Sequence, residues 1–228
     1  GKPMKLVVNL AVSNERVRRW WFGQDGDSAF QGYQYANERV FFYAVAHRKI
    51  KGVETLHGAN HDLTVVDFVD GNGPLEIKLG LSYVSLANAK ENLEKELAGK
   101  SFEQVKAAAS NEWETLLSKI QVTGGTERQK RLFYSCLYRS FLWPALRSDV
   151  NGEFLDENHE VARPDFQSYT VPSLWDDYRN KLVLLGMLSP KVTEDVIKSL
   201  VDRGEKTGFI PTFFHGDHAA AFIAGSYL

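Results

Sequence analysis

The hydrophobic period of the sequence changes close to Ser85, and this change implies a β part followed by an α part. Before Ser85, runs rich in valine, isoleucine, phenylalanine and tyrosine are separated by turn clusters such as Asp25-Gly26-Asp27, which is typical of antiparallel strands. After Ser85, apolar residues recur at helical spacing, and Thr126-Glu127-Arg128-Gln129 has the sequence of a capping box. We therefore predict strands over 4–12, 39–47, 63–69 and 75–85, followed by helices.

The β part has the pattern of a sandwich. In its last predicted strand, Leu75, Ile77, Leu79, Leu81 and Tyr83 share one face, as expected for a strand buried on one side. A dense aromatic group lies between the first runs, and we expect its rings to fill the core, with stacking on a sugar as the alternative. The group comprises Trp20, Trp21, Phe22, Phe30, Tyr33 and Tyr35.

The α part alternates long loops with short connections, as expected when helical hairpins are arranged around an axis. One helix is expected from Pro172 to about Leu188. Another follows Thr126 and carries Cys136 among its inward-facing residues, so a buried structural thiol is predicted. The expected domains are a sandwich over 1–85, a helical linker over 86–125 and part of a helical barrel over 126–228. Both ends of the chain look like cuts through a larger protein.

Composition excludes several functional classes. The 27 basic and 29 acidic residues give a formal net charge of −2, which provides no general attraction to nucleic acid or to anionic membranes. No apolar run approaches the roughly 20 residues that a membrane span needs. The single cysteine excludes an internal disulfide and a cysteine-based zinc site. Nucleophile-elbow, phosphate-loop and dinucleotide-binding motifs are absent from the sequence.

The stretch 168–179 concentrates polar and aromatic groups at a predicted helix start, where backbone N–H groups are free to bind a ligand. Asp176 and Asp177 are adjacent, so a helix directs them about 100° apart and at most one can line a small site. The alternative for Asp176 is a capping pair with Ser173. The remaining candidates in this stretch are Tyr169, Trp175 and Arg179.

A second cluster, His215-Gly216-Asp217-His218, lies at the start of the last predicted helix. The two histidines have a spacing that occurs in metal sites, but the glutamate of the zinc metalloprotease motif is missing. Hydrogen bonding of a neutral ligand by Asp217 or His218 is the preferred interpretation. A structural role at the helix N-terminus is the alternative.

Taken together, several segments make the chain resemble the calcium-dependent α-mannosidases of glycoside hydrolase family 92. The likeness runs through residues 77–93, 124–130, 148–152, 169–176 and 216–219. Each segment alone is a weak signal, whereas their order and spacing together are specific.

The resemblance implies an antiparallel β-sandwich, a helical linker and then part of an (α/α)6 barrel. It implies an exo-acting enzyme that removes terminal α-linked mannose with inversion, as in N-glycan processing, while calcium holds the sugar hydroxyls. The expected partners are α-mannosides and other glycans, together with the remainder of the barrel. The residues do not specify a compartment; a periplasmic, secreted or surface-anchored bacterial protein is the expectation that accompanies the resemblance.

Candidate site residues follow from matching motifs. Trp175 and Asp176 match a Leu-Trp-Asp segment that the resemblance places against the mannose. Asp217 and His218 match a Gly-Asp-His segment at the mouth of the barrel. Phe30-Gln31-Gly32 occupies the place of a Phe-Cys-Gly loop through which the sandwich reaches the sugar, so Phe30 and Gly32 are also expected to bind substrate.

The chain also departs from the family pattern. The family commonly has threonine where Asp177 stands, and the tract before Gly216 is shorter here. The general acid in a Gly-Asn-Glu segment, the base near an Asp-x-Asp and most calcium ligands are expected beyond Leu228. Two other functions stay open, namely a carbohydrate-binding or scaffold relative without catalysis, and a His/Asp metallohydrolase centred on residues 215–218.

Overall fold

The structure, a computed structural model, describes residues 1–58, 62–210 and 216–227. The chain forms two compact units, Gly1–Phe102 and Glu103–Leu228. The first unit contains the main sheets and the second contains most of the helices.

Unit 1 contains two antiparallel sheets. Three strands form one sheet in the order β1-β6-β5, and four strands form the other in the order β2-β3-β4-β7. Tight turns join β2 to β3 and β3 to β4 in the second sheet, and Gly26 takes the positive φ of 70° that the β2–β3 turn requires. The strands are β1 Lys2–Val8, β2 Arg19–Asp25, β3 Ala29–Tyr35, β4 Arg39–Ala46, β5 Ile50–His57, β6 Asp62–Gly71 and β7 Ile77–Ser82.

The two sheets of unit 1 pack face to face. Phe30, Phe42 and Ala44 from the four-stranded sheet meet Val66 and Phe68 from the three-stranded sheet in one buried cluster. Because successive side chains of a strand point to opposite faces, this cluster uses every second residue of β3, β4 and β6. The predicted antiparallel sandwich is therefore confirmed.

A helix covers the outer face of the four-stranded sheet. Helix α1, Leu86–Leu97, begins at Ser85, whose side chain accepts a hydrogen bond from the backbone N–H of Asn88. Its buried residues Ala89 and Leu93 pack on Ala29 and Tyr43 of the sheet. Unit 1 is thus built from three layers, two sheets and one helix.

Strand β7 follows the predicted face only near its start, where Leu75 and Ile77 pack on the sandwich core, and its other face is buried further along. Leu79 and Leu81 are 50% and 53% exposed, whereas Gly80 and Ser82 are buried. A Cβ atom on Gly80 would lie 2.1 Å from the backbone oxygen of Ala89, so only glycine lets α1 approach this closely. Alternation identified the strand correctly, but α1 covers its small residues.

Unit 2 is built from helices around one core. The buried residues of its main core cluster come from α4 to α7, with Leu174, Leu182, Leu200 and Ala219 almost completely buried. A short hairpin of β8 and β9 lies in the long connection between α3 and α4. The elements are α2 Phe102–Leu117, α3 Glu127–Ser140, β8 Phe154–Leu155, β9 Val161–Ala162, α4 Leu174–Asp177, α5 Lys181–Leu188, α6 Pro190–Thr207 and α7 His218–Tyr227.

Several helix ends follow the predicted local rules. Thr126 and Gln129 form the complete capping box at the start of α3, with the Gln129 side chain accepting the Thr126 N–H at 2.8 Å. Gly208 ends α6 in the left-handed conformation with φ 83°. The capping box that begins α3 is confirmed.

Two helical predictions are wrong. The helix expected from Pro172 to Leu188 is broken into α4 and α5, because Asn180 leaves helical geometry and caps α5 through its side chain. Cys136 is exposed rather than buried, since the α3 face that packs inward is the one with Leu137. No helix among the described residues is both long and apolar enough to cross a bilayer.

Candidate functional site

The starts of α4 and α7 meet in unit 2. Leu174, the first residue of α4, is fully buried in the same core cluster as Ala219 and Phe222 of α7. This packing fixes the two helix starts beside each other. Trp175 on α4 therefore lies close to His218 on α7, while Asp176 and Asp217 lie at the same two helix starts.

Aromatic rings form the centre of this junction. The indole of Trp175 meets the His218 ring edge to face, with centroids 5.2 Å apart and planes at 72°. Tyr178 contacts the His218 ring as well, with the two ring centroids 4.6 Å apart and the ring planes at 57°. Trp175 is nonetheless 49% exposed, so a large part of the indole is open to a ligand. Tyr178 was not among the predicted site residues, although its i, i+3 spacing from Trp175 was a usable signal.

His218 presents an unpaired polar atom. Its Nδ1 is buried and has no hydrogen-bond partner among the residues that the structure describes. The ring is held close to the backbone of Gly216, where a Cβ would lie 2.9 Å from Cε1 and where φ is 75°. Glycine is therefore required at 216 both for the backbone conformation and for the position of the ring. A buried polar atom without a partner is costly, so a ligand hydroxyl at Nδ1 would be favourable.

The two adjacent carboxylates have different environments. Asp177 forms an ion pair with Lys181, with Oδ2 and Nζ 2.6 Å apart and both side chains largely buried. Asp176 is exposed, and its Oδ2 accepts a hydrogen bond from the Ser173 hydroxyl at 2.6 Å. This contact is not a capping box, because the Ser173 side chain caps no backbone N–H. Asp176 is thus the carboxylate of the pair that is free to meet a ligand.

Asp217 combines exposure with a structural role. One of its carboxylate oxygens, Oδ1, accepts the backbone N–H of Ala220 at 3.3 Å in the first turn of α7. This is the interaction expected of an acidic residue at a helix N-terminus. The less favoured alternative, a metal site that uses His215 and His218, depends on His215, which lies outside the described residues.

Two further candidates of the 168–179 stretch make other contacts, Tyr169 in the core of unit 2 and Arg179 on the Tyr178 ring of the junction. Tyr169 packs against the core of unit 2, and its backbone N–H donates to the Ser199 hydroxyl at 3.0 Å. Burial raises the pKa of the Tyr169 phenol, and the Asp195 carboxylate adds to the rise. Arg179 stacks on the outer side of Tyr178, with its Cζ 5.0 Å from the ring centroid.

The expectation for Phe30 and Gly32 does not agree with their placement. Both lie inside strand β3, not in a loop, because β3 pairs along its length with β2 and β4. Phe30 is only 3% exposed and stacks on Phe22 in the sandwich core. Gly32 has no room for a side chain, since a Cβ would lie 2.2 Å from a backbone oxygen. Phe30 thus takes the core-filling role that was preferred for the aromatic group.

The sequence profile of the glycosyl hydrolase family 92 catalytic domain matches residues 88–228, which is well over half of the chain. The chain belongs to glycosyl hydrolase family 92. The matched region contains both helix starts of the junction. An uncharacterized secreted glycosidase of Arthroderma benhamiae is 34% identical over 116 residues, or 48% of this chain and 14% of that protein.

Solved structures of family 92 proteins share the fold. The family's inverting mannosidase from Bacteroides thetaiotaomicron VPI-5482 superposes with a TM-score of 0.85 and 22% identity, covering 98% of this chain and 34% of that one. An α-mannosidase from the same species in complex with mannoimidazole superposes with a TM-score of 0.73 and 24% identity. The match covers 82% of this chain and 28% of that one. The sandwich followed by part of a helical barrel is therefore confirmed. The chain spans about a third of the length of these structures.

Proposed function

We propose that this family 92 chain takes part in removing terminal α-linked mannose from glycans, with inversion and with the help of calcium. The observation that supports this most directly is the α4–α7 junction. It combines a half-exposed indole at Trp175 with a buried ring nitrogen of His218, and the exposed carboxylate of Asp176, oriented by Ser173, follows Trp175 in α4.

These groups suit a pyranose. The C–H-rich face of the sugar packs on the Trp175 indole, and its hydroxyls donate to Asp176. The Ser173 hydroxyl holds one Asp176 oxygen in place, so the carboxylate is oriented before substrate arrives. The solved relative in complex with mannoimidazole supports a mannose-like ligand for the family.

Calcium does not fit the described residues by themselves. Within 1–58, 62–210 and 216–227, no three histidine, cysteine, aspartate or glutamate side chains come together as a metal site. Calcium prefers six to eight oxygen ligands, and the described carboxylates at the two helix starts, Asp176, Asp177 and Asp217, are too few to supply them. We therefore assign no step to the ion, and we propose that most of its ligands lie outside this chain.

Inversion requires a carboxylic acid that protonates the leaving oxygen and a carboxylate that activates water, roughly 6.5–9.5 Å apart. We propose that both groups are also outside these 228 residues. In this scheme the chain supplies one wall of the mannose subsite. Asp176 grips a hydroxyl, Trp175 supports the ring and His218 completes the polar contacts.

The test compares Asp176→Asn with wild type in a longer protein that contains this chain, using an aryl α-mannoside. Removing a charged hydrogen bond to substrate costs about 1.5–3 kcal/mol, so kcat/KM is expected to fall about 10- to 150-fold. Asp177→Asn is the matched control, because its carboxylate contacts Lys181 and not the junction. A loss of less than about twofold for Asp176→Asn would remove Asp176 from the site.

Two further measurements separate the functions. The 228-residue chain alone is expected to show no hydrolysis, and a chelator is expected to inactivate the longer protein. Robust turnover by the isolated chain would contradict our placement of the acid and base. Binding of mannose by the longer protein without any hydrolysis would instead identify a carbohydrate-binding relative.

A further inference from the structure

The four-stranded sheet of unit 1 has an outer face that α1 covers only in part. The strand register places Arg19, Trp21 and Gly23 of β2 on this face. Arg19 lies opposite Tyr35 of β3, and Trp21 lies opposite Tyr33. Helix α1 contacts the other end of the face through Ala89 and Leu93. The cluster that α1 forms reaches Phe41 and includes neither Trp21 nor Tyr33, which mark the free end of the face.

Aromatic rings line this free end as neighbours. The Trp21 and Tyr33 rings are 6.4 Å apart with planes at 28° to each other, and Tyr33 meets Phe41 edge to face at 5.9 Å. Trp21 is 41% exposed. A Cβ on Gly23 would lie 2.5 Å from the Trp21 indole, so the glycine lets the indole lie flat across the strand. A flat indole on a sheet presents its other face to solvent.

Guanidinium groups accompany the rings. Arg39 lies over Tyr33 and Tyr35, with its Cζ 5.2 and 5.5 Å from the ring centroids, and Arg18 lies 5.7 Å from the Tyr35 centroid. Stacking of this kind fixes a guanidinium and leaves its N–H edges able to bind an anion. With Arg19, this end of the sheet carries three arginines in a chain whose net charge is −2.

The acidic residues near this end do not balance the arginines. Asp25, on the same face of β2, accepts a hydrogen bond from the Tyr43 hydroxyl at 2.7 Å and lies at the end covered by α1. The segments 15–19 and 35–39, which lead into β2 and join β3 to β4, hold two glutamates, Glu15 and Glu38, against four arginines. The face thus combines flat rings with an excess of positive charge.

We propose that this aromatic–arginine face, formed by Arg18, Trp21, Tyr33, Tyr35 and Arg39, binds an acidic polysaccharide. Pyranose rings pack on the Trp21 and Tyr33 rings, and acidic substituents pair with the guanidinium groups. The face lies in unit 1, whereas the α4–α7 junction lies in unit 2. Binding here does not require hydrolysis, so this proposal can fail or succeed independently of the proposed mannosidase function.

The test is affinity electrophoresis of the 228-residue chain in native gels that contain either phosphorylated mannan or the same mannan after removal of its phosphate. We expect retardation by the phosphorylated form, weaker retardation by the neutral form and a decrease with added salt. Trp21→Ala and Arg39→Gln are each expected to raise the dissociation constant at least fivefold. Phe102→Ala and Arg128→Gln, which change exposed residues elsewhere, serve as matched controls and should bind as wild type does.

A third variant covers the possibility that Trp21→Ala unfolds unit 1. Gly23→Ala keeps the indole but displaces it from its flat position, so it should weaken binding with little change in circular dichroism. The proposal is overturned if wild type is not retarded, if both mannans retard it equally, or if the folded variants bind within twofold of wild type. Displacement of the mannan by a single-stranded oligonucleotide at lower concentration would also overturn it, in favour of nucleic-acid binding.

Discussion

Asp156 is the carboxylate through which the β8–β9 hairpin holds helix α6. Its side chain is only 6% exposed, and its Oδ2 lies 3.1 Å from Nζ of Lys206. The other oxygen, Oδ1, accepts the backbone N–H groups of Asn158 at 2.8 Å and Glu160 at 3.0 Å. One oxygen therefore forms the turn and the other forms the ion pair, so substitutions can separate the two roles.

Asp156→Asn keeps an acceptor for both N–H groups and removes only the charge facing Lys206. Lys206 retains Asp202 as a partner at 2.9 Å, so we expect a loss of about 1–2 kcal/mol in the free energy of unfolding. Asp156→Ala also removes the turn acceptor, and each lost hydrogen bond adds about 0.5–1.5 kcal/mol, for a total of about 3 kcal/mol. Lys198→Met, which breaks a more exposed pair with Glu194 on the same helix, should cost less than about 0.5 kcal/mol.

The pH dependence of this effect has a definite direction. Burial raises the pKa of the Asp156 carboxyl, but the Glu160 N–H, the Lys206 ammonium and the Asn158 N–H outweigh it and hold the pKa below its ordinary value of 3.8. A pKa lowered by folding contributes stability above the unfolded value, and that stability is lost as pH falls through the folded value. The difference between wild type and Asp156→Asn should therefore be constant near neutral pH and shrink below about pH 3.8.

The assay is urea unfolding followed by circular dichroism at 222 nm, since most helices belong to unit 2. Adding Lys206→Met to Asp156→Asn should cost less than the sum of the two single changes, because both remove the same ion pair. If Asp156→Asn and Asp156→Ala lower the free energy of unfolding equally, the turn hydrogen bonds contribute nothing to stability. A difference from wild type that persists unchanged at pH 3 would refute the ionic part of the reasoning.

Two further predictions concern packing and exposure. Gly80→Ala places a Cβ against the backbone of α1, so it should lower the free energy of unfolding of unit 1 by about 2–3 kcal/mol in urea titrations. Gly52→Ala is the control. Its added Cβ meets open space, so the free energy of unfolding should change by less than about 0.5 kcal/mol. Cys136 should react with a maleimide in the native chain at a rate within about threefold of that in urea, because it is exposed; strong protection would place it in a contact that the 228-residue chain makes with another molecule.

Parts of the fold could be predicted because local sequence and packing agree. The capping box at Thr126 and the change of period at Ser85 depend only on neighbouring residues, and both appear in the structure. Strand β5 was missed because its residues are almost all exposed, so no alternation marks it. Burial of Cys136 was predicted from periodicity alone, which cannot tell which apolar stripe of a helix finds a partner.

The α4–α7 junction likewise could not be predicted from local sequence. Proximity of Trp175 to His218 depends on Leu174 packing against α7, a contact between residues 45 or so positions apart that no local pattern encodes. Motif resemblance supplied the residues, and only the fold brought them together. Phe30 demonstrates the converse, since a motif-like tripeptide was enough to suggest a sugar contact where the sandwich requires a core ring.

The adjacent aspartates explain why neighbouring identical residues can have different functions. Helical geometry separates their side chains by about 100°, so one turns toward α5 and the other away from it. Asp177 is held by Lys181 at 2.6 Å, and a substrate hydroxyl would have to compete with a full positive charge to reach it. Among the described residues, Asp176 is held by the neutral hydroxyl of Ser173, which orients the carboxylate without neutralising it. A carboxylate that is oriented, exposed and still charged gains most from a sugar hydroxyl, and this is why the proposed function rests on Asp176.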